Sequence, residues 1–587
     1  MASRGEVRFL PAGDAGLVVE FGDAIDPALN ARVRALAHLL APGRVPGVRE
    51  VVPTYRSLGV EYDPARLEFE ALVAGIRGLL DRLDTAELPP SRRVELPTLY
   101  GGEFGPDLPS VCEHTGLSEA EVVRLHSGTE YPVYMIGFTA GFAYLGGLPE
   151  RLHTPRLASP RTRVPKGSVG IGGAQTGAYS AETPGGWRLI GRTPVPLFDP
   201  LQDPPTPMLP GDRVRFVPID AEEYRRLEQR YSAERNAECG LRNAESAAVP
   251  AGDVPLGMGA SAPLPAFEVV TPGPLTTVQD RGRVGYQKFG VSVSGAVDGV
   301  ALQVGNILVG NPRGAAGLEF MLMGPSLRFL RDVAVALTGG ESRATLDGRP
   351  APWYESFLVR AGQVLEVGGL VRGFRGYLTV AGGIEVPVLL NSRSTCLGAR
   401  FGGHRGRRLE AGDRLSVAAS GRPPLIGAAA PRWRPEEAAT PTVRVVLGPQ
   451  DGAFTEAGRE TFLSSVYQVT SDVDRMGCRL DGPALTHARG ADIISDWIPL
   501  GGIQVPGSGK PIILLANRQT TGGYTKIATV IGPDIPVVAQ RRPGDALRFR
   551  AVAVAEAQAA ARDVERRLAE LPDRLETPSL FTGYMED

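Results

Sequence analysis

Two stretches of this sequence gather side chains able to bind and activate a polar substrate. The first runs from Tyr131 to Asp199 and places Arg161, Arg163 and Lys166 close together, followed by Gln175, Thr176 and Tyr179 in a Gly-rich run. Two guanidinium forks and an ammonium at that spacing could clamp a carboxylate or phosphate; the alternative is a solvated basic loop. Amide and hydroxyl groups at Gln175, Thr176 and Tyr179 could orient a planar polar molecule. Upstream, the segment Gly141-Phe142-Ala143-Tyr144-Leu145-Gly146-Gly147 alternates small and aromatic residues, which lets backbone approach a ligand closely.

The second stretch contains Ser495-Asp496-Trp497, Gln504, and the run Asn517-Arg518-Gln519-Thr520-Thr521-Gly522-Gly523-Tyr524-Thr525-Lys526. Five consecutive hydrogen-bonding side chains beside a glycine pair point to binding more than to stability. Ser294 reads either as a helix N-cap or as a site hydroxyl, and Asp298 adds a nearby acid. The turn Ser471-Asp472-Val473-Asp474-Arg475-Met476-Gly477 could be held by an internal Asp–Arg pair.

The elements around these stretches repeat. Gly172-Gly173-Ala174-Gln175 and Gly501-Gly502-Ile503-Gln504 are each followed, roughly forty residues later, by a Pro-Gly-Asp turn entering a strand, at 210–216 and 543–549. A weaker third ending occurs at Ala411-Gly412-Asp413. This predicts a β-rich module used twice, with two corresponding ligand-facing loops, and a further barrel that has lost its glutamine loop.

Length allows about four domains of ~150 residues. With 74 glycines, 51 prolines and 43% hydrophobic residues, the 587-residue chain reads as many short strands and tight turns. The 63 basic and 65 acidic side chains nearly balance, giving no electrostatic case for nucleic acid or an anionic membrane. Nothing approaches ~18 uninterrupted apolar residues. Four scattered cysteines read as reduced thiols, so the chain is expected to be soluble and cytoplasmic. The six histidines lack metal-ligand spacing, and His114 and His126 read as surface or supporting groups. Gly507-Ser508-Gly509-Lys510-Pro511 is superficially like a phosphate-binding loop, but its spacing is wrong.

Along the chain, 1–90 reads as a small α/β domain. Asp26-Pro27 and Asp63-Pro64 are expected to cap its two helices. Residues 91–225 form a turn-rich β domain with one helix, opened by a Ser118/Glu121 capping box. Helix 221–237 leads into a linker, so 226–262 marks a fusion joint. A β-barrel domain over 263–425 and another over 426–552 follow. Residues 553–587 hold a helix with Ala557, Ala561, Val564, Leu568 and Leu571 on one face, expected to pack on its own chain.

The strings GFTAGFAYLGGLPERLHTPR, PRTRVPKGSVGIGGAQTGAYSAETPGGWRLIGRTPVPLFDP and PGDRVRF make residues 131–217 resemble the B subunit of bacterial ATP-dependent 5-oxoprolinase, also described as the Kip-type sensor-kinase inhibitor or allophanate hydrolase subunit 1 family. Residues 267–550 resemble the C subunit, of the allophanate hydrolase subunit 2 family, through TVQDRGRVGYQKFGVSVSGAVD, RGYLTVAGGIEVP, SRSTCLGARFGG, SDVDRMGCRLDG and GGIQVPGSGKPIILLANRQTTGGYTKIATVIGPD. The resemblance implies a mainly β, multidomain fusion with cyclophilin-like β-barrels in both halves. It implies ATP, with magnesium, as co-substrate for opening 5-oxoproline to glutamate, and a LamB/YcsF-type A subunit as partner. A carboxyltransferase module of a urea- or allophanate-type system, without covalent biotin here, and a sensor-kinase inhibitor without catalysis are the alternatives. A homo-oligomer is left open. On the leading reading Arg161, Arg163 and Lys166 bind substrate carboxylate or phosphoryl oxygens, with Lys166 also a candidate catalytic group. Gln175, Thr176, Tyr179, Gln504, Arg518, Gln519, Thr520, Tyr524 and Lys526 bind the ring or intermediate, and Asp496 or Asp298 is the acid/base. The sequence departs from the family pattern at Ala140, Val297, Asn517 and Thr525. Asn517 removes a carboxylate that could serve as base or charge partner.

Overall fold

A computed structural model describes residues 6–246, 265–419, 426–430, 433 and 438–575, with side chains described to residue 234 in the first span. The linker expected at 238–262 lies largely outside these residues. Helix Ala221–Ser246 runs longer than expected and takes up its first part.

The N-terminal domain is a four-stranded antiparallel sheet in the order Arg8–Pro11, Gly16–Glu20, Ser57–Tyr62, Val48–Pro53. Helices Pro27–Leu39 and Phe69–Arg77 share its apolar core through Val33, Leu36, Leu72 and Ile76. Asp26 caps the first helix, its Oδ1 accepting from Ala28 N and Leu29 N. The second helix starts later than Asp63-Pro64 predicts. Asp63 closes a separate turn by accepting from Ala65 N, and the chain is extended at Glu68 before Phe69.

Two closed seven-stranded barrels follow the repeat. The first is ordered Gln175–Ala178, Ala143–Leu145, Tyr131–Ile136, Arg213–Pro218, Arg93–Tyr100, Arg188–Arg192, Ser168–Gly172. The second is Ile512–Leu514, Gly477–Asp481, Val466–Val473, Ala546–Ala551, Thr442–Leu447, Lys526–Val530, Gly502–Gln504, the same order element for element. In both, the strand after Pro-Gly-Asp runs parallel to the barrel's first strand. Each barrel also carries a two-stranded flap: Arg161–Val164 with Thr183–Gly185, and Asp492–Trp497 with Thr521–Tyr524.

The third ending shares the turn but not the barrel. Asp212, Asp413 and Asp545 each accept, through a side-chain oxygen, from the backbone N–H three residues back, at 2.7–2.8 Å. The preceding glycines have φ of 99°, 85° and 90°, which only glycine adopts cheaply. After Asp413, however, strand Arg414–Val417 pairs antiparallel with Pro265–Thr271. The barrel expected over 263–425 is therefore corrected to two sheets, of seven and five strands, sharing one core. The similarity was turn chemistry, which is local and does not dictate strand pairing.

Helix Gly299–Leu308 of this region is capped by Asp298, whose Oδ1 accepts from Ala301 N at 2.9 Å. Ser294 does not cap it; it sits in a turn at φ 57°. The expected internal Asp–Arg pair near 474 is also absent. Arg475 instead crosses to buried Glu319 and to Gly295 O, while Asp474 holds the turn by accepting from Met476 N and Gly477 N.

The C-terminal helix Val554–Glu570 packs on its own chain. Ala557 and Leu568 are buried, and Gln558 Nε2 donates to Tyr62 Oη at 3.0 Å and Asp14 O at 3.4 Å in the N-terminal domain.

Candidate functional site

The N-terminal sheet presents a hairpin tip, Thr54-Tyr55-Arg56, to both barrels. Ser57 N and Thr54 Oγ1 close the tip locally. Asn30 Nδ2 reaches Thr54 O, Tyr55 O and, in the first barrel, Tyr134 O at 3.0–3.2 Å. Arg56 is held by Glu20 at 2.5 Å, which also pairs with Arg8.

The second barrel approaches through its flap. Asp496 Oδ1 accepts from Ser57 Oγ at 2.6 Å and Trp497 N at 2.8 Å; Oδ2 accepts from Gln450 Nε2 at 3.0 Å and Lys526 Nζ at 3.4 Å. The side chains of Lys526 and Asp496 are 0% and 3% exposed. Burial pushes the Lys526 ammonium pKa down, and Asp496 opposes that shift. Trp497, next along the strand, points to the other face. Its ring lies against Gly59, where a Cβ would come within 2.5 Å of Cγ and Cδ2.

The first barrel arrives at the same tip. Gln175 Nε2 donates to Tyr55 Oη at 2.5 Å, and the Tyr55 ring meets Tyr134 and Tyr144 with centroids 5.3 and 5.8 Å apart. The Tyr144 phenol hydrogen-bonds Thr521 and Ser495 of the opposite flap. Phe138 N donates to Thr521 Oγ1 at 3.1 Å, an approach open only because residue 137 is glycine: a Cβ there would lie 2.1 Å from that oxygen. The two expected pockets are thus one junction. Gln175 and Gln504 occupy the same hairpin of the two barrels but opposite arms, since Gln175 opens its strand and Gln504 closes its own.

Arg156 stands exposed beside this junction. Burial pushes the Tyr55, Tyr144 and Tyr179 phenols up, and the Arg156 charge pulls against that on all three. The outer layer therefore offers a guanidinium, an amide, phenols and Ser495. The inner layer is the Asp496–Lys526 pair with Ser57 and Gln450. Such a site can hold a small planar molecule with an anionic group and direct amide and hydroxyl donors at its polar edge.

Other expected site residues lie elsewhere or serve the fold. Arg161 pairs with Asp107 through Nη2 at 2.7 Å, with its Nη1 buried and without a partner among the described residues, and exposed Arg163 pairs with Glu182 at 2.7 Å. Lys166 lies in the turn after their strand. Thr176 is buried between His126 Nε2, at 2.8 Å, and Gly170 O. His126 is enclosed rather than surface-lying, its pKa pushed down to about 3 by burial. Tyr179 packs with Phe142 and Trp187. Asp298 is spent on its helix cap and on Gln540 Nε2.

On the second barrel, Arg518 is buried against Ile498 O and Gln287 Oε1. Gln519 is half-buried, and Tyr524 is exposed at the open end of the flap, opposite Asp492. Gln504 Nε2 and Thr520 Oγ1 are buried without a hydrogen-bond partner among the described residues, and Gln504 Nε2 sits beneath Gly522. Asn517 Oδ1 faces Arg475 Nη2 at 3.4 Å. A carboxylate at 517 would thus be a charge partner for Arg475 rather than a base at the junction. Sequence reasoning missed Tyr55, Ser57 and Gln450, and gave no role to Arg156, the last residue of the GFTAGFAYLGGLPERLHTPR string. The one signal was a polar Thr-Tyr-Arg-Ser turn, without glycine or asparagine, between two apolar strands.

Gln287 fastens the N-terminal domain beside the junction. Its backbone N and Nε2 donate to Glu50 at 2.5 and 2.8 Å, Nε2 also reaches Glu61, and its Oε1 accepts from Trp497 Nε1 and Arg518 Nη2. Burial, with repulsion from Glu61, raises the Glu50 pKa to about 7. A carboxyl raised on folding binds more protons folded than unfolded. Its contribution is therefore full below the ordinary pKa of 4.5 and is lost as pH rises through about 7. Glu50→Gln is expected to flatten the decline in unfolding free energy between about pH 5 and pH 8, read from urea titrations at stepped pH.

Two family models match the chain: "Carboxyltransferase domain, subdomain C and D" over residues 7–208 and "Carboxyltransferase domain, subdomain A and B" over 289–551. The first half is 43% identical over 225 residues to the 5-oxoprolinase B subunit of Bacillus subtilis, covering 36% of this chain and 92% of that protein. The second is 40% identical over 282 residues to the 5-oxoprolinase C subunit of Haemophilus influenzae, covering 48% of this chain and 89% of that one. The crystal structure of TTHA0988 superposes with a TM-score of 0.77 at 37% identity, covering 93% of this chain and all of that one.

Proposed function

Because the chain belongs to the carboxyltransferase-domain family and joins the B and C types of 5-oxoprolinase subunit in one polypeptide, we propose that it is the B/C component of an ATP-dependent 5-oxoprolinase, opening 5-oxo-L-proline to L-glutamate together with a separate A subunit. The observation that carries this reading is the junction itself. Gln175 from the B-type half, the Asp496 flap of the C-type half and the Tyr55 tip meet at one place.

The lactam is an unstrained amide and a poor electrophile, so its carbonyl must be polarised within a preorganised set of donors. Arg156 holds the substrate carboxylate. Gln175, Tyr144 and Ser495 face the lactam edge, and the Asp496–Lys526 pair keeps the tip and flap in register behind them. Arg161 and Arg163 each hold a carboxylate, Asp107 and Glu182, so the anionic oxygens of a nucleotide would compete with those pairs. The nucleotide step falls to the A subunit on this reading, and none of it is drawn through this chain.

The test is glutamate release from the purified chain mixed with a LamB/YcsF-type A subunit, ATP and 5-oxoproline. An assembled complex that releases none overturns the reading, and dependence on a biotinylated partner would favour the carboxyltransferase alternative. Capture of a sensor kinase with no turnover would favour the inhibitor alternative. Arg156→Ala is expected to raise KM about tenfold or more, the scale of one charge-assisted contact, with little change in thermal stability because the side chain is exposed. Gln175→Ala should lower kcat as well, since it frees the Tyr55 phenol.

A further inference from the structure

Each barrel bonds a histidine to the threonine beside a side chain that it sends to the junction. In the first, His126 on helix Glu119–Ser127 is 0% exposed, with Nε2 2.8 Å from Thr176 Oγ1 and Nδ1 2.7 Å from Tyr100 Oη. Thr176 follows Gln175 in the strand Gln175–Ala178, so the two side chains take opposite faces, Gln175 toward Tyr55 and Thr176 toward His126. In the second, His487 Nε2 lies 3.1 Å from both Thr525 Oγ1 and Val505 O, and its ring meets Phe454 with centroids 4.6 Å apart. Buried Thr525 directly precedes Lys526, which holds Asp496.

The partners settle where the protons lie. The Thr176 hydroxyl donates its one proton to Gly170 O at 3.0 Å, so Oγ1 accepts from a protonated Nε2 of His126. Nδ1 is then the acceptor for the Tyr100 phenol. Burial, which pushes the His126 pKa down to about 3, keeps this ring neutral. Val505 O can only accept, so His487 also carries its proton on Nε2. The first chain ends on a backbone carbonyl. It can hold a position, but it cannot pass a proton to the junction.

We propose that His126 and His487 are positioning residues. His126 fixes the strand at Gln175 through Thr176, and His487 fixes the chain at Lys526 through Thr525. Together they set where the two barrels place an amide and an ammonium, in a site where small displacements of reacting groups cost rate steeply. This role rests on the junction being the site described above, whichever reaction it runs.

NMR of the full chain with isotope-labelled histidine, assigned through His126→Gln and His487→Gln, should show the Nε2–H tautomer at both rings at about pH 8. An Nδ1–H ring at either overturns the proposal. Carbon-labelled tyrosine, with Tyr55 assigned through Tyr55→Phe, reads the Gln175 bond itself. Gln175→Ala should move the Tyr55 Cζ signal, Thr176→Val should move it the same way, and Thr176→Ser, which keeps the hydroxyl, should leave it. A Tyr55 signal unmoved by Thr176→Val overturns the proposal. The same two substitutions at Thr525, read on the Cε signal of Lys526 in lysine-labelled protein, test the second barrel in the same way. In glutamate release with the A subunit, Thr176→Val is expected to lower kcat about fivefold, the scale of one hydrogen bond, and to add no further loss to Gln175→Ala. Equal losses in both backgrounds mean a purely structural role and overturn it too. A complex that releases no glutamate overturns the 5-oxoprolinase reading alone, and the ring, Tyr55 and Lys526 signals still decide this one.

Discussion

Asp496→Ala is expected to lower the unfolding free energy by about 3–5 kcal/mol, the cost of leaving a buried charge unpaired. The stranded group is Lys526, fully buried and held by Asp496 Oδ2. The same change deprives Ser57 Oγ, Gln450 Nε2 and Trp497 N of their acceptor. Glutamate release with the A subunit should fall to background. Stability and function separate in the double variant Asp496→Leu/Lys526→Met, which removes both charges and should recover most of the stability. If that protein is stable yet inactive, the pair serves the reaction. If it turns over normally, the pair is only structural and the inner layer assigned to the site is wrong. The measurements are urea midpoints followed by tryptophan fluorescence, and glutamate assays on the same preparations.

Trp497→Ala should cost a similar ~3–5 kcal/mol, the usual range for emptying a buried aromatic site. Trp497 is 1% exposed, clusters with Ala12, Val18 and Val52 of the N-terminal domain, and donates to Gln287 Oε1. Its seat depends on Gly59, so Gly59→Ala is expected to be nearly as damaging: a new Cβ 2.5 Å from a rigid ring cannot be absorbed by a rotamer change. Both variants should release the N-terminal domain while leaving the barrels folded. Protease digestion would show early cutting before about residue 90 and persistence of the rest. Cutting spread evenly over the chain would contradict this.

Much of the fold was written in local pattern. The capping box at Ser118 and Glu121 forms as expected, and the three Gly-Asp turns, two of them Pro-Gly-Asp, carry the same side-chain bond. Those signals depend on neighbours within a few residues. The strand that follows each turn chooses its partner from far away, which is why the third ending did not announce an open sheet. The site was legible in kind but not in grouping. Asp496, Gln175 and Lys526 were singled out by type, whereas Tyr55 and Ser57 gain importance only when distant strands meet, 120 residues apart in the Gln175–Tyr55 bond and 439 in the Ser57–Asp496 bond. Arg161 and Arg163 illustrate the converse: a basic cluster in the sequence is divided in space between Asp107 and Glu182.

Gln558 sets a timetable for synthesis. Its bonds to Asp14 O and Tyr62 Oη span 544 and 496 residues. At ribosomal rates of ~5–20 residues per second, the N-terminal domain emerges on the order of 25–100 s before the helix that completes its flank. For nearly half of that interval Glu50 has no Gln287, and for most of it Gly59 has no Trp497 against it, leaving a sheet face ready to find another molecule. In proteins whose two halves are made separately, the equivalent meeting would depend on concentration. Here the tether makes it unimolecular, so a growing chain trades a search for a partner against a longer exposure of its first domain.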